Sequence, residues 1–156
     1  MIKDIISYAK KNDIKTCIFC GDWHHTRVST ENNVLNVSYK LMSALAKHLK
    51  VYAILGNHDI YMKNSSDINS MVIFKDLKNV EIVSQLTEID INGKSGLLIP
   101  WQCDISQLEK EKYDFMLGHF EISYKYLLQS YIEQHSKSLA DEKSQYLIDN
   151  DKLLGA

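Results

Sequence analysis

Val51-Tyr52-Ala53-Ile54-Leu55 leads without a break into Gly56-Asn57-His58-Asp59. A short apolar run stopped by glycine reads as a buried strand ending in a sharp turn. The four residues after it carry a neutral oxygen donor, an imidazole and a carboxylate, groups suited to metal and proton chemistry. The same plan occurs earlier, where Thr16-Cys17-Ile18-Phe19-Cys20 precedes Gly21-Asp22-Trp23-His24-His25. It occurs again where Tyr113-Asp114-Phe115-Met116-Leu117 precedes Gly118-His119-Phe120. Three strand ends delivering Gly-Asp, Gly-Asn-His-Asp and Gly-His point to one metal-centred hydrolytic site.

Outward from these junctions, Ile2, Ile5, Ile6 and Ala9 are spaced as the apolar face of a helix reaching about Lys11. A strand from Lys15 to Cys20 follows, then a polar loop, then a helix carrying Val34, Leu41, Leu45 and Leu49. Helices alternating with strands predict a parallel sheet with right-handed crossovers, and ligands bind beyond the carboxyl ends of such strands. All three glycine-led motifs fall there. Asp67 to Leu77 reads as a further helix. Val80 to Val83, Leu86 to Ile91 and Leu97 to Ile99 read as strands of a second, partly antiparallel sheet. Asn92-Gly93 between the last two marks a hairpin, since both residues accept positive φ. Pro100 closes that strand, and a short helix from Ile105 to Lys112 leads to the strand Tyr113 to Leu117. Tyr124, Leu127, Leu128, Tyr131, Ile132, His135 and Leu139 keep helical spacing, so residues 123–156 are expected to be mostly helical. The fold class is α/β, within a single domain spanning residues 1–156.

Composition bounds the function. The chain has 156 residues, 45% hydrophobic and 24% charged, as expected of a globular protein with one core. Its net charge of −2 gives no basic field for autonomous tight DNA binding. No apolar run approaches a membrane span and no secretory leader is evident, so no membrane partner is expected. Three cysteines make no disulfide framework, which points to a reducing compartment. Cys17 and Cys20 have C-x-x-C spacing, but within a strand such residues face opposite sides. They read as buried small hydrophobes rather than a redox or zinc pair.

The ordered set Gly21-Asp22, Gly56-Asn57-His58-Asp59 and Gly118-His119 resembles the calcineurin-like metallophosphoesterases from about Ile14 to His119. That resemblance implies an α/β/β/α sandwich, two facing mixed sheets flanked by helices. It implies two divalent cations, most naturally manganese with iron or zinc as alternatives, clamping a phosphate. By position, Asp22 corresponds to the bridging carboxylate, and Asn57 and His119 to ligands of the second metal. His58 corresponds to the histidine that protonates the leaving oxygen, and Asp59 to its orienting partner; Asp59 is also placed to cap the next segment. His25 and Arg27 are candidates for substrate phosphate, and equally readable as polar loop residues. Trp101 reads as core.

The family's preceding Asp-x-His and following Gly-His-x-His are not found. The chain is therefore expected to be a fold incomplete at both ends, keeping donors for one cation. The stretches around Asp22 to Arg27 and Asn57 to Ser65 are most similar to SbcD-type repair nucleases and the recombination endonuclease subunits of T-even-like phages. This implies cleavage of DNA phosphodiesters beside an SbcC-type ATPase subunit. Alternatives are a catalytically impaired half-site or non-catalytic partner-binding module, and a phosphatase acting on phosphoproteins or small phosphoesters.

Overall fold

A computed structural model describes residues 2–62, 65–105 and 108–120. The expected helical segment 123–156 lies outside the described residues.

Helix α1 (Ile2–Lys11) ends with Lys10 and Lys11 in its last turn, where cations complement the dipole. The Asn12 side-chain amide caps it by donating to Tyr8 O at 2.8 Å. Strand β1 (Thr16–Phe19) follows, then α2 (Asn32–Ala46) and β2 (Lys50–Ile54). Further on, β5 (Val80–Val83) joins the far side of β2, giving an all-parallel sheet of order β1-β2-β5.

Alternation along β2 sets the layers. Val51 and Ala53 point to the helices, meeting Ala9, Met42, Leu45, Ala46 and Leu49. Ile54 points the other way and packs, with Val83, against Ile89 and Leu98 of the second sheet. That sheet is β6 (Thr87–Ile91), β7 (Lys94–Ile99) and β8 (Phe115–Gly118). β6 and β7 form an antiparallel hairpin, while β8 runs parallel to β7 with Ile99 opposite Gly118. Asn92 and Gly93 turn the hairpin with φ of 55° and 78°, the two successive positive values expected of that dipeptide. The fold is thus the expected α/β sandwich. Among the described residues the first sheet is parallel, the second mixed, and α1 and α2 cover the outer face of the first.

Three expectations are corrected. Asp67 to Leu77 is not one helix: β3 (Ile60–Met62) and β4 (Ser65–Asn69) pair antiparallel, and only Ser70–Phe74 coils, as a 3₁₀ turn. Met71 and Phe74 are the buried pair, and an i, i+3 spacing serves a 3₁₀ turn as well as an α-helix. The Ser70 N–H donates to Asp59 O at 2.7 Å, holding that turn to the end of the Gly56 motif. Among the described residues of the stretch expected as helix from Ile105 to Lys112, only Lys110–Lys112 coils, as a 3₁₀ turn. Its apolar residues are too few to pack a face, and a short helix without one is not stable. Finally, Cys17 is half-buried against the helix-side core, but Cys20 is exposed rather than buried. Burial pushes both thiols up, against any redox role.

Candidate metal centre

β1 and β2 are parallel neighbours, so their terminal turns lie side by side. Gly21 and Asp22 both have positive φ, 95° and 59°, bending the chain abruptly after β1. Glycine is at home there, whereas Asp22 in that region is a strained residue held by its surroundings. Its N–H donates to Asp59 Oδ2 at 2.8 Å, and its own Oδ1 accepts the His58 N–H at 2.9 Å. The turns touch so closely that a Cβ on Gly56 would lie 2.3 Å from Asp22 Oδ1 and 2.4 Å from Asp22 N. A Cβ on Gly21 would lie 2.4 Å from His119 Nδ1. Gly56→Ala is therefore expected to cost roughly 3 kcal/mol, at the upper end of overpacking, read as a lowered urea midpoint. An unchanged midpoint would mean that the two turns can separate.

The third motif arrives from the second sheet. The His119 N–H donates to Ile99 O at 3.1 Å, which seats the residue at the end of β8. Its Nδ1 lies 2.9 Å from Cys20 O. A carbonyl only accepts, so Nδ1 carries a hydrogen, and Nε2 is turned toward the other two motifs. That nitrogen faces Asn57 Oδ1 at 2.9 Å and Asp22 Oδ2 at 3.6 Å. Residues 22, 57 and 119, distant in sequence, thus turn three electron-rich atoms on one another. Such a set calls for a positive charge between them: a proton on Nε2 or a cation.

Asp59 is held by main-chain groups. Its side chain is 1% exposed and accepts three backbone N–H groups. Asp22 and Gly56 donate to Oδ2 at 2.8 and 2.9 Å, and His24 donates to Oδ1 at 3.2 Å. Its carboxylate knits the two turns together. Burial pushes its pKa up, the three N–H groups pull it down, and the nearby Asp22 charge adds to the rise, leaving it above its ordinary value.

His58 has a different partner. Its Nδ1 donates to the carbonyl of His25, and the two imidazoles stack at 5.7 Å and 16°. Nε2 is the ring nitrogen that this carbonyl leaves unengaged. His25 itself is exposed. Arg27 is half-buried, with its guanidinium carbon 5.6 Å from the centre of the Trp101 ring.

His24, by contrast, is 2% exposed and structural. Its Nδ1 lies 2.8 Å from Ser70 Oγ and its Nε2 2.9 Å from Ser38 Oγ. Ser38 Oγ also accepts the Trp23 indole N–H at 2.5 Å. The loop after β1 is thereby tied to α2 and to the 3₁₀ turn. Burial lowers the His24 pKa, with Asp59 pulling partly back, so the ring sits there neutral. Sequence reasoning had no signal for Ser38 or Ser70, which are ordinary serines until the fold brings them to an imidazole.

One carboxylate oxygen, one amide oxygen and one imidazole nitrogen are a donor set suited to a single divalent cation. They do not fit two. Among the described residues no three His, Cys, Asp or Glu side chains cluster, and the trio contains only two such residues. No described helix is long and apolar enough to cross a membrane.

The family model described as calcineurin-like phosphoesterase matches residues 1–153. Exonuclease subunit 1 of Enterobacteria phage T4 is 29% identical over 130 residues, covering 78% of this chain and 38% of that protein. The chain thus spans well under half of that relative's length. Among solved structures, the protein of unknown function AQ665 from Aquifex aeolicus matches 88% of this chain and 60% of its own. Identity there is 17% and the TM-score 0.33, too slight a likeness to build on.

Proposed function

The chain belongs to the calcineurin-like phosphoesterases, and from that premise we propose that its described residues form a one-cation half-site, impaired in hydrolysis as it stands. Asp22, Asn57 and His119 would hold the ion. The observation that carries this reading is the convergence of Asn57 Oδ1 and Asp22 Oδ2 on His119 Nε2. A bound divalent cation would neutralise phosphoryl charge and polarise the phosphorus centre. His58 would rest with its hydrogen on Nδ1, held by the His25 carbonyl, and would pass on to the leaving oxygen a second proton taken up at Nε2. Asp59 keeps the two turns in register and takes no part in proton transfer.

Manganese titration tests the half-site. One ion per chain is expected, with affinity falling at least about tenfold in Asp22→Asn and in His119→Ala, and with little or no turnover of a nitrophenyl phosphodiester. Two tightly held ions, or none, would overturn the proposal.

The finer reading is that the whole protein is a DNA nuclease subunit working with an SbcC-type ATPase. The name of the phage relative, an exonuclease subunit, supports this. So does the exposed imidazole of His25, which lies beyond the cation trio. A net charge of −2 implies that a partner supplies much of the grip on DNA. A preference for nitrophenyl monoesters or phosphopeptides over DNA would favour a phosphatase instead.

A further inference from the structure

The imidazole of His58 is aimed by a backbone carbonyl, not by a side chain, and that carbonyl lies in an exposed loop. Something must fix its direction. On the amino side, His24 is locked by Ser38, Ser70 and Asp59, which sets the peptide entering residue 25. The His25 carbonyl belongs to the next peptide, whose rotation is also governed from the carboxyl side. There Thr26 makes only a local turn, its hydroxyl donating to Ser29 O. Arg27 is the first residue on that side with a tertiary contact among those described, and the contact is the face of Trp101.

Trp101 is itself fixed. Its main-chain N–H donates to Leu55 O at 2.9 Å, and its ring packs against the helix-side core. Leu55 immediately precedes the Gly56 turn that carries His58. The contacts therefore close a ring: Leu55 to Trp101, Trp101 to Arg27, Arg27 by way of residue 26 to the His25 carbonyl, and that carbonyl to His58. Both ends of the ring lie within three residues of each other on one strand end. A closed ring of this kind holds an imidazole in one tautomer and one direction before any ligand arrives.

We propose that the Arg27–Trp101 stack is a positioning clamp that keeps the Nδ1–H tautomer and the orientation of His58 by fixing the His25 carbonyl. Arg27 is then a positioning residue acting through the main chain, rather than a fork for substrate phosphate. This bears on hydrolysis only if His58 is the proton donor proposed above, whereas the tautomer is measurable in the metal-free chain without any turnover.

Nitrogen-15 spectra of the histidine rings in the full chain test it. In the unaltered protein His58 should show a hydrogen on Nδ1 and a bare Nε2. Arg27→Met and Trp101→Leu should move the ring toward the Nε2–H form. They should also speed exchange of the amides of residues 25 to 27 by roughly two- to fivefold, the equivalent of one exposed cation–π contact. Trp101→Phe, which keeps an aromatic face for the guanidinium, should preserve the original pattern. Trp101 contributes to the core, so its leucine variant can fail to fold; Arg27→Met then decides, because Arg27 is outside the core. If Arg27→Met leaves the His58 ring signals unchanged while β2 amides stay in place, the clamp is wrong. Arg27 would then be left for a ligand, and this outcome is independent of whether manganese binds.

Discussion

Asp59→Asn is expected to destabilise the protein by about 2–4 kcal/mol, although it is isosteric and distant from solvent. The carboxylate satisfies three converging N–H donors, two at Oδ2 and one at Oδ1. An asparagine keeps one oxygen and turns an amino group toward the remaining donors. At least one buried N–H then faces another N–H, and a buried donor without an acceptor costs about 1–3 kcal/mol on top of the lost charge-assisted bonds. A domain whose total stability is of the order of 5–15 kcal/mol would feel this strongly. The loss should be visible in urea unfolding of the metal-free chain. The three donors belong to Asp22, Gly56 and His24, so loosening them frees the strained Asp22 backbone as well, and manganese affinity should fall with stability. Had Asp59 been the partner of His58, the same substitution would spare stability and alter only turnover. A midpoint equal to that of the unaltered protein would restore that assignment.

The parts of this molecule legible in its sequence are those fixed by local pattern. Strand ends stopped by glycine could be read because burial and turning are both written in adjacent residues, and all three motifs fall at the ends of β1, β2 and β8. Asn92-Gly93 was equally plain, since a two-residue turn with positive φ selects its own residues. The β3–β4 hairpin was not, because Met71 and Phe74 share a spacing with a longer helix and only the tie from Ser70 to Asp59 ends the strand there. The partners of the site histidines were illegible for the same reason. His58 rests on a carbonyl, His119 on another, and Asp59 on three N–H groups. Main-chain groups carry no residue signature, so a reading of side chains alone assigns them to the nearest plausible side chain. Arg27 and Trp101 illustrate the complementary limit: separated by most of the first sheet, they are joined by a loop whose path the sequence does not state.

His58→Ala should lower turnover of an alkyl phosphodiester by roughly 10²–10⁴-fold, the usual contribution of a general acid, wherever turnover is measured, on this chain or on a longer form of the protein. The size of the loss depends on the leaving group, and that dependence is the sharper test. An alkoxide, such as a nucleoside oxygen, leaves poorly without a proton, so removal of Nε2–H acts on the bond being broken. A nitrophenolate leaves readily unprotonated, so the same variant should lose far less on a nitrophenyl ester. Manganese affinity should be nearly unaffected, because the His58 ring is not among the three converging donors and its N–H to Asp22 Oδ1 comes from the backbone, which alanine retains. Stability should also change little, as the ring is only half-buried and its stacking partner His25 is exposed. Equal losses on both substrates would move His58 from proton donor to substrate positioning. A large drop in manganese affinity would instead make the ring part of the cation's own environment, and the division of labour between the trio and His58 would have to be redrawn.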